Sequence, residues 1–207
     1  MKIGVLSQKG GVGKSTISRL LAVEYARNKW SVKIADMDLS QGTVTEWNRT
    51  RMEAGLEPKI AVEQFMNVKD AVKQEDYYDL VIFDGEPHST KKTLEIASIC
   101  DFVILPTGVT VDDLFPTIKL AHELKKYGKD KKKFGIALSR VGDSESEIAG
   151  AIEYINDAGY HFLGTIQEKT SIGQAHDSGR AANETNFKTV NKAIDKFIQA
   201  IVKRTKE

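Results

Sequence analysis

The chain has 207 residues, which fits one domain of ordinary size and is long enough to bury a full core without disulfides or structural metals. Its 30 Lys and Arg nearly balance its 29 Asp and Glu, so the net charge of +1 excludes attraction to nucleic acid or membrane through bulk charge and leaves only a local patch for such a partner. The single cysteine excludes a disulfide framework and any site that needs two thiolates from one chain. The sequence has no apolar run of about 18 residues, the length that would indicate a membrane span.

Short apolar runs alternate with amphipathic segments along the whole chain, which is the βαβ pattern typical of a parallel sheet. We therefore predict an α/β fold, a doubly wound, mostly parallel sheet with helices on both faces, in one domain over residues 1–207. In chain order, the pattern predicts a strand at 2–6, a helix at 15–27, a strand at 32–35, a helix at 44–52, an ambiguous strand at 60–65, a strand at 80–83, a helix at 90–97, a strand at 102–105 that Pro106 ends, a helix at 111–127, a strand at 134–138, a helix at 145–157, a strand at 160–166 and a helix at 188–203.

Three polar motifs follow predicted strands, at the points where those strands end. They are the glycine-rich segment 8–16, the pair Asp36 and Asp38, and Asp84. In a parallel sheet covered by helices, ligands bind at the carboxyl ends of the strands. We therefore expect the three motifs to meet at one edge of the sheet.

Residues 8–16 read QKGGVGKST, a variant of the phosphate-binding pattern GxxxxGK[ST] in which Gln8 stands where the pattern has its first glycine. Glycines let the backbone point successive N–H groups inward and form an anion nest, and the helix that follows adds its positive N-terminal dipole. We expect Lys14 to neutralise the β- and γ-phosphates and the Ser15 hydroxyl to bind Mg²⁺. A glycine-rich turn with surface lysines is the alternative. The predicted nucleotide-binding residues of this segment are Gly10, Gly11, Val12, Gly13, Lys14, Ser15 and Thr16.

The segment KGGVGKST resembles the deviant Walker A loop of the ParA/MinD (SIMIBI) ATPases, and the short chain is most similar to the small ParF-like plasmid-partition ParA proteins. The resemblance implies a P-loop NTPase fold of the SIMIBI type, with ATP and Mg²⁺ as cofactors. It further implies a DNA partition or cargo-positioning ATPase that forms a Mg-ATP sandwich homodimer or a higher assembly, binds DNA non-specifically and releases it on hydrolysis. A ParB/ParG-like centromere-binding or adaptor protein is the implied partner that stimulates hydrolysis. With no signal-peptide pattern at the start of the sequence, we expect a cytoplasmic, nucleoid-associated location.

Lys9 directly precedes the glycines of this loop. In the family, the matching lysine reaches the phosphates of the other subunit in the dimer, so the resemblance assigns Lys9 a catalytic role together with Lys14 and Asp38. A second cation at the γ-phosphate stabilises the charge that develops in phosphoryl transfer. A solvated lysine beside the loop is the alternative.

Asp36 and Asp38 lie two positions apart at the end of the second strand and therefore point to the same face of an extended chain. Two carboxylates on one face repel each other unless a cation separates them, and Mg-ATP supplies such a cation. By resemblance, Asp38 orients the attacking water and Asp36 lies near the metal ion. The family usually continues Pro-Gln after the second aspartate, whereas this chain has Leu39-Ser40-Gln41. A helix cap is the alternative role of either aspartate.

Asp84 follows four apolar residues, the arrangement of a Walker B strand, and its carboxylate is expected to bind Mg²⁺ directly or through water. The predicted metal ligands are therefore Ser15, Asp36 and Asp84. Glu86 comes two residues after Asp84 and is interpreted as an exposed loop carboxylate. Because only a weakly basic aspartate is left to position water, we expect slow hydrolysis without a partner, which favours a timer or switch over metabolic turnover.

Residues 106–113 take the place of a proline-rich segment that lies near the nucleotide in ParF-like relatives, although only Pro106 of those prolines is present. Asp113 matches an aspartate of the family, and a cap of the following helix is the alternative for Asp112 and Asp113. Arg140 follows the predicted strand at 134–138, where we expect it to bind the nucleotide by stacking on or flanking the adenine base.

Seven lysines and only two acidic residues lie between positions 119 and 133, and a second basic cluster near the end of the chain includes Lys206. Contacts with DNA phosphates at these clusters would be independent of sequence and sensitive to salt. The alternative is a solvated helix end and loop, because cations are favoured at helix C-termini. The predicted DNA-binding residues are Lys131, Lys132, Lys133, Lys203 and Arg204.

The last predicted helix has apolar residues at helical spacing and lysines on its other faces. Packing onto the sheet is the preferred interpretation, whereas a MinD-like membrane-cycling ATPase would use such a helix on membranes. A P-loop metabolic enzyme of the dethiobiotin-synthetase type is a further alternative, which Lys9 disfavours because a monomeric site has no use for a lysine aimed across a dimer. Cys100, among apolar neighbours, is predicted to pack in the core.

Overall fold

Strands and helices alternate along the chain in the computed structural model, which describes residues 1–88 and 90–205. The strands are β1 (Lys2–Val5), β2 (Val32–Asp36), β3 (Ala61–Gln64), β4 (Leu80–Asp84), β5 (Phe102–Thr107), β6 (Phe134–Val141) and β7 (Phe162–Gln167). The helices are α1 (Lys14–Arg27), α2 (Thr43–Glu53), α3 (Val68–Val72), α4 (Thr90–Ile99), α5 (Val111–Lys126), α6 (Glu145–Asp157), α7 (Thr170–Asp177) and α8 (Lys188–Thr205). Single turns of 3₁₀ helix lie at Glu75–Tyr77 and Lys131–Lys133.

The strands form one sheet in the order β3-β2-β4-β1-β5-β6-β7, and each neighbouring pair is parallel. Every residue of β2, β4 and β5 is buried, as expected for strands that are covered on both faces. Helices α1, α2, α7 and α8 contribute side chains to one apolar cluster, and α3, α4, α5 and α6 contribute to the cluster on the other face. The doubly wound, parallel α/β fold predicted from the sequence is confirmed.

The register of the sheet brings the three polar motifs to one edge. Asp36 at the end of β2 lies opposite Asp84 at the end of β4, and Val5 at the end of β1 also lies opposite Asp84. The glycine-rich loop begins after β1, which lies between β4 and β5. The loop and both aspartates therefore meet at the carboxyl edge of the sheet, as the sequence predicts.

Pro106 does not end β5, contrary to the sequence prediction, because the strand continues to Thr107. Alternate residues of a parallel strand direct their backbone groups to opposite neighbours. The Ile104 carbonyl accepts a hydrogen bond from the backbone N–H of Leu6, just beyond the end of β1. Pro106 faces the same side two residues later, where β1 has already ended, so the proline removes no hydrogen bond from the sheet.

Three further features differ from the sequence prediction. β6 extends to Val141, so Arg140 lies within the strand and not after it. Helices α3 and α7 were not predicted, and α7 buries only Ile172 and Ala175, too few residues to give a helical apolar pattern.

Cys100 is 3% exposed and lies in the apolar core, which agrees with the prediction.

The apolar face of α8 is covered by the sheet. Its buried residues are Ile194, Phe197, Ile198 and Ile201. Phe197 lies so close to Gly164 of β7 that a Cβ atom there would come within 2.9 Å of the phenyl ring. This arrangement agrees with the packing interpretation of the last helix. Within residues 1–88 and 90–205, none of the helices has the length and apolarity needed to cross a bilayer.

Candidate functional site

A cavity of about 660 Å³ opens at the carboxyl edge of the sheet. One wall is the glycine-rich loop with the first turns of α1, and a second wall contains Asp36, Asp38 and Asp84. The third wall is formed by Arg140 and by the segment 166–177, which includes α7. The cavity is therefore large enough for a small-molecule ligand and combines backbone amides, cations and carboxylates.

The glycines of the loop are required by its backbone conformation. Gly11 and Gly13 have φ angles of 75° and 91°, in the left-handed region that side chains disfavour. A Cβ atom on Gly13 would also lie 2.2 Å from the Ser139 hydroxyl oxygen of β6. This close approach packs the backbone of the loop against the sheet. The backbone amides of the loop and of the first turn of α1 then lie at the cavity, which is the arrangement of an anion nest.

Lys14 lies at the base of this loop and is 8% exposed. Its Nζ donates to the backbone carbonyl of Lys9, at 2.9 Å. Burial lowers the pKa of Lys14, and the charges of Asp84 and Asp38 oppose that shift. The ammonium group is thus held inside the loop, where a phosphate oxygen can replace the carbonyl as its acceptor.

Asp84 is held by two serine hydroxyl groups of α1. Its two oxygens accept hydrogen bonds from the hydroxyl groups of Ser15 at 2.7 Å and Ser18 at 2.8 Å, and the residue is 2% exposed. Burial, together with the smaller effect of the neighbouring Asp36, raises the pKa of Asp84 to about 6 against these hydrogen bonds. A buried carboxylate beside a serine hydroxyl is a pair of oxygen ligands that suits Mg²⁺.

Asp36 lies next to this pair and is 1% exposed. It accepts hydrogen bonds from the Thr45 hydroxyl at 2.9 Å and from the Asp38 backbone N–H at 3.1 Å. Burial raises the pKa of Asp36. The part of the chain that the structure describes contains no group of three or more His, Cys, Asp or Glu able to hold a metal ion, so a cation here needs the serine hydroxyl and oxygens from a bound ligand.

Asp38 lines the cavity, but its carboxylate closes its own loop. Oδ1 accepts hydrogen bonds from the backbone N–H groups of Ser40 and Gln41 at 3.2 Å and from the Ser40 hydroxyl at 2.6 Å. The backbone carbonyl of Asp38 accepts from Gly42, which has a φ angle of 55°. The segment without the usual Pro-Gln therefore forms a tight turn, and the second carboxylate oxygen stays available at the cavity.

Lys9 is not among the residues that line the cavity. Its Nζ pairs with the carboxylate of Asp113 in the first turn of α5, at 2.5 Å. Burial raises the pKa of Asp113, but hydrogen bonds from Lys9 and Thr110 outweigh burial, and the net pKa is lowered. The sequence predicts both residues near the nucleotide but gives no indication of this ion pair.

Arg140 reaches the cavity from β6. Its Nη1 donates to the Gly11 carbonyl at 2.8 Å, and its Nη2 donates to the Glu168 carboxylate at 2.7 Å. The guanidinium group therefore joins the glycine-rich loop to the segment after β7. Glu86, in contrast, pairs with Lys92 at 2.9 Å and does not line the cavity.

Among the cavity residues that were not identified from the sequence, two carry a buried polar group without a partner. Arg19, on the second turn of α1, and His176, on α7, both line the cavity and each has a buried nitrogen without a hydrogen-bond partner. Burial, together with the smaller effect of the nearby charge of Arg19, lowers the pKa of His176 to about 4. The available signal was the single arginine within the otherwise apolar stretch of α1.

The predicted DNA-binding residues lie at the opposite edge of the sheet. Lys131, Lys132 and Lys133 directly precede β6 at its amino end, and Lys131 donates to the Gly159 carbonyl at 3.2 Å. The last turn of α8 contains Lys203 and Arg204. A 2.8 Å hydrogen bond between Tyr25 and Thr205 ties this turn to the C-terminal end of α1, also at the amino edge. Lys206 lies outside the described residues.

Residues 3–182 match the model of the family described as CobQ/CobB/MinD/ParA nucleotide binding domain. The chain is 31% identical over 121 residues to maintenance of carboxysome distribution protein A of Gloeobacter kilaueensis; this match covers 58% of the chain and 55% of that protein, so the chain spans about half the length of that relative.

Two solved structures show the same fold over nearly the whole chain. One is the septum site-determining protein MinD of Pyrococcus horikoshii, complexed with Mg-ADP, with a TM-score of 0.76 and 19% sequence identity. The superposition covers 97% of this chain and 95% of the MinD chain. A putative plasmid partition protein of Borrelia burgdorferi, bound to AMPPNP, has a TM-score of 0.74 and 17% identity and covers 98% of both chains. The nucleotides and magnesium in these structures agree with the ATP and Mg²⁺ expected from the sequence.

Proposed function

Because this chain belongs to the CobQ/CobB/MinD/ParA nucleotide-binding family, we propose that it is a Mg-ATP-dependent positioning ATPase that partitions DNA or another cargo. The observation that carries the proposal is the hydrogen bond from Ser15 to the buried Asp84, directly beneath the glycine-rich loop in a cavity of about 660 Å³. An anion nest and a magnesium pair at one place are the two parts that binding of a nucleoside triphosphate requires.

The triphosphate is held by the amides of residues 10–16 and by the ammonium group of Lys14. Lys14 leaves the Lys9 carbonyl and neutralises the β- and γ-phosphates. Arg140, already bonded to the Gly11 carbonyl, flanks the base side of the nucleotide. These contacts bind and orient the substrate but do not perform a chemical step themselves.

The magnesium ligands on the protein are Ser15 and Asp84, with Asp36 close by. When bound, Mg²⁺ neutralises charge on the β- and γ-phosphate oxygens. Asp84 must be ionised to bind it, and the positive charge of Lys14 lowers the raised pKa of Asp84 toward that state. Asp36 is held by the Thr45 hydroxyl and by the Asp38 backbone N–H, so it would add a third carboxylate charge to the side of the cavity that would hold the cation.

Asp38 orients the attacking water with the carboxylate oxygen that its own loop leaves available. An aspartate that is already satisfied by three donors is a weak base, so hydrolysis to ADP and phosphate is slow in the isolated protein. A ParB/ParG-like partner accelerates the step by completing the geometry around this loop.

Dimerisation completes the site with Lys9 of a second copy. Lys9 does not line the cavity of its own chain, so in its own subunit it leaves the phosphates to Lys14. The dimer binds DNA phosphates without sequence preference through Lys131, Lys132, Lys133, Lys203 and Arg204, and a cytoplasmic, nucleoid-associated location follows from that activity.

Two alternatives predict different results. A MinD-like membrane-cycling ATPase would sediment with liposomes in ATP, but the packed apolar face of α8 supports the DNA-binding form. A metabolic P-loop enzyme of the dethiobiotin-synthetase type would be stimulated by a small substrate and not by DNA with a partner.

Calorimetric titration of Mg-ATP into the native protein tests the proposal. Binding should be lost in Lys14→Ala and retained in Lys125→Ala, a control on the exposed side of α5. Light scattering should show a dimer with Mg-ATP and a monomer for Lys9→Ala, and arbitrary duplex DNA should shift with ATP but not with ADP. Absence of heat with the native protein would refute the proposed function.

A further inference from the structure

Arg19 is a buried charge in the helix that follows the glycine-rich loop. It lies four residues after Ser15, one turn further along α1, and is 5% exposed. Its neighbours Ile17 and Leu20 are fully buried in the apolar core. A charge in such surroundings is costly unless polar partners compensate for the lost water.

The partners of Arg19 are few. Nη2 donates to the backbone carbonyl of Thr43 at 2.6 Å, and the guanidinium carbon lies 5.5 Å from the centre of the Trp47 ring. Nε has no hydrogen-bond partner, and Arg19 forms no ion pair within 4.0 Å among the described residues. Burial lowers its pKa to about 10, against the opposing charges of Asp84 and Asp36.

Arg51 is a second buried arginine, and its hydrogen bonds can be compared with those of Arg19. It is 1% exposed, donates from all three of its nitrogens to backbone carbonyls and pairs with Glu184 at 2.8 Å. Within residues 1–88 and 90–205, Arg19 has a single hydrogen bond, to one backbone carbonyl. Its contribution to stability is therefore small, and an apolar side chain of the same length would fill its place at less cost.

The hydrogen bond from Arg19 reaches the first turn of α2. Thr43 begins α2, and the hydroxyl of Thr45 in the same turn donates to Asp36. The loop of Asp38 closes immediately before this turn, through the bond from Gly42 to the Asp38 carbonyl. The first turn of α2 is therefore the anchor of the segment that contains both aspartates.

On the other side, the same stretch of α1 holds the third carboxylate. Ser15 and Ser18 donate to Asp84, and Arg19 follows Ser18 directly. One turn of α1 is thus bonded to β4 through two hydroxyl groups and to α2 through one guanidinium group.

We propose that Arg19 is a positioning residue, which ties the helix of the glycine-rich loop to the segment 36–45 and so holds Asp36 and Asp38 at the cavity. Its effect on hydrolysis rests on the proposed function, whereas its effect on the segment does not. Arg19 contacts the backbone of α2 and acts on the reaction only through the two aspartates. Loss of the tie loosens the segment and leaves the phosphate-binding loop intact.

The test compares Arg19→Met, which keeps the length and removes the charge, with Arg19→Lys and with Arg27→Met, a control on the exposed end of the same helix. In the nucleotide-free protein, amide hydrogen exchange at residues 37–46 should be about fivefold faster or more in Arg19→Met, and exchange in α7 should be unchanged. Arg19→Lys, which can still donate to the Thr43 carbonyl, should restore slow exchange. Arg27→Met should match the native protein.

Turnover supplies the second readout. Arg19→Met should bind Mg-ATP within about threefold of the native affinity and should hydrolyse it about tenfold more slowly or worse, because small displacements of catalytic groups are costly. Unchanged exchange at residues 37–46 would overturn the inference, and so would an affinity loss with unchanged turnover. If the native protein binds no Mg-ATP, the proposed function fails while the exchange measurement still decides the role of Arg19. If Arg19→Met does not fold, Arg19→Gln takes its place in both measurements.

Discussion

Lys9 and Asp113 form an ion pair of 2.5 Å between residues that are 104 positions apart in the chain. The pair joins the loop after β1 to the first turn of α5. In the proposed dimer, Lys9 serves a second subunit and must first leave this partner. We therefore expect the ion pair to oppose dimerisation of the nucleotide-free chain.

Asp113→Asn should release Lys9 and favour the dimer. Both side chains are partly exposed, at 40% for Lys9 and 22% for Asp113, so the pair contributes modestly. We expect half-maximal dimerisation at an ATP concentration about two- to fivefold lower, measured by light scattering. The neighbouring Asp112→Asn is the matched control. A dimer that needs more ATP in Asp113→Asn would show that Asp113 supports the interface.

Asp84→Asn should stabilise the nucleotide-free protein at neutral pH. Burial raises the pKa of Asp84 from 3.8 to about 6, so between these values the folded state binds more protons than the unfolded state. Stability therefore falls as the pH rises through this window, and the penalty persists at pH 7. We expect the variant to gain about 1–3 kcal/mol in the free energy of unfolding at pH 7, measured by denaturant titration.

The same variant should lose the effect of Mg²⁺ on nucleotide binding, since the amide is a poorer ligand for the cation. Asp76→Asn, at an exposed position, is the control for both measurements. A variant that is less stable than the native protein at pH 7 would contradict the assigned cost of burying this carboxylate.

His176→Gln tests a titration of the opposite sign. Burial lowers the pKa of His176 from 6.5 to about 4, so the unfolded state binds the proton first as the pH falls. Stability is therefore lost between pH 6.5 and pH 4, by at most about 3 kcal/mol. The variant should flatten this part of the pH profile in thermal or denaturant unfolding. His88→Asn, at an exposed position, is the control.

Gly13→Ala should destabilise the loop even without a ligand. Its φ angle of 91° and the 2.2 Å approach to Ser139 leave no room for a methyl group. We expect a loss of about 1–3 kcal/mol in thermal unfolding, whereas Gly10→Ala, with open space at its Cβ, should unfold like the native protein. Recovery of part of the loss in Gly13→Ala with Ser139→Gly would identify the contact as the cause.

Changing Lys131, Lys132 and Lys133 to glutamate should weaken DNA binding in the presence of ATP and reduce its dependence on salt. The control with the same change of charge replaces Lys59, Lys69 and Lys73, which are exposed near the edge strand β3, away from β6. An electrophoretic shift that is equal in both triple variants would assign the 131–133 cluster to solvation alone.

The parallel sheet and its carboxyl-edge site were predictable because apolar runs and strand-end motifs are local patterns. Asp36 and Asp84 each mark the end of a buried strand, and the sheet register then brings them together. The Lys9–Asp113 pair was not predictable, since it depends on where α5 begins relative to the loop. Helix α7 was missed because most of its residues face solvent or the cavity. The prediction that Pro106 ends β5 was wrong because the N–H that proline lacks would lie where β1 has already ended.

Helix α1 runs from the nucleotide edge to the opposite edge as a single rod. Its 14 residues span about 21 Å. Ser15 lies in its first turn at the cavity, and Tyr25, whose hydroxyl bonds Thr205, lies in its last turn. A helix transmits displacement along its axis with little loss, because its backbone hydrogen bonds resist compression. We therefore expect an axial shift of α1 at the cavity to reach the basic end of α8 through the bond between Tyr25 and Thr205.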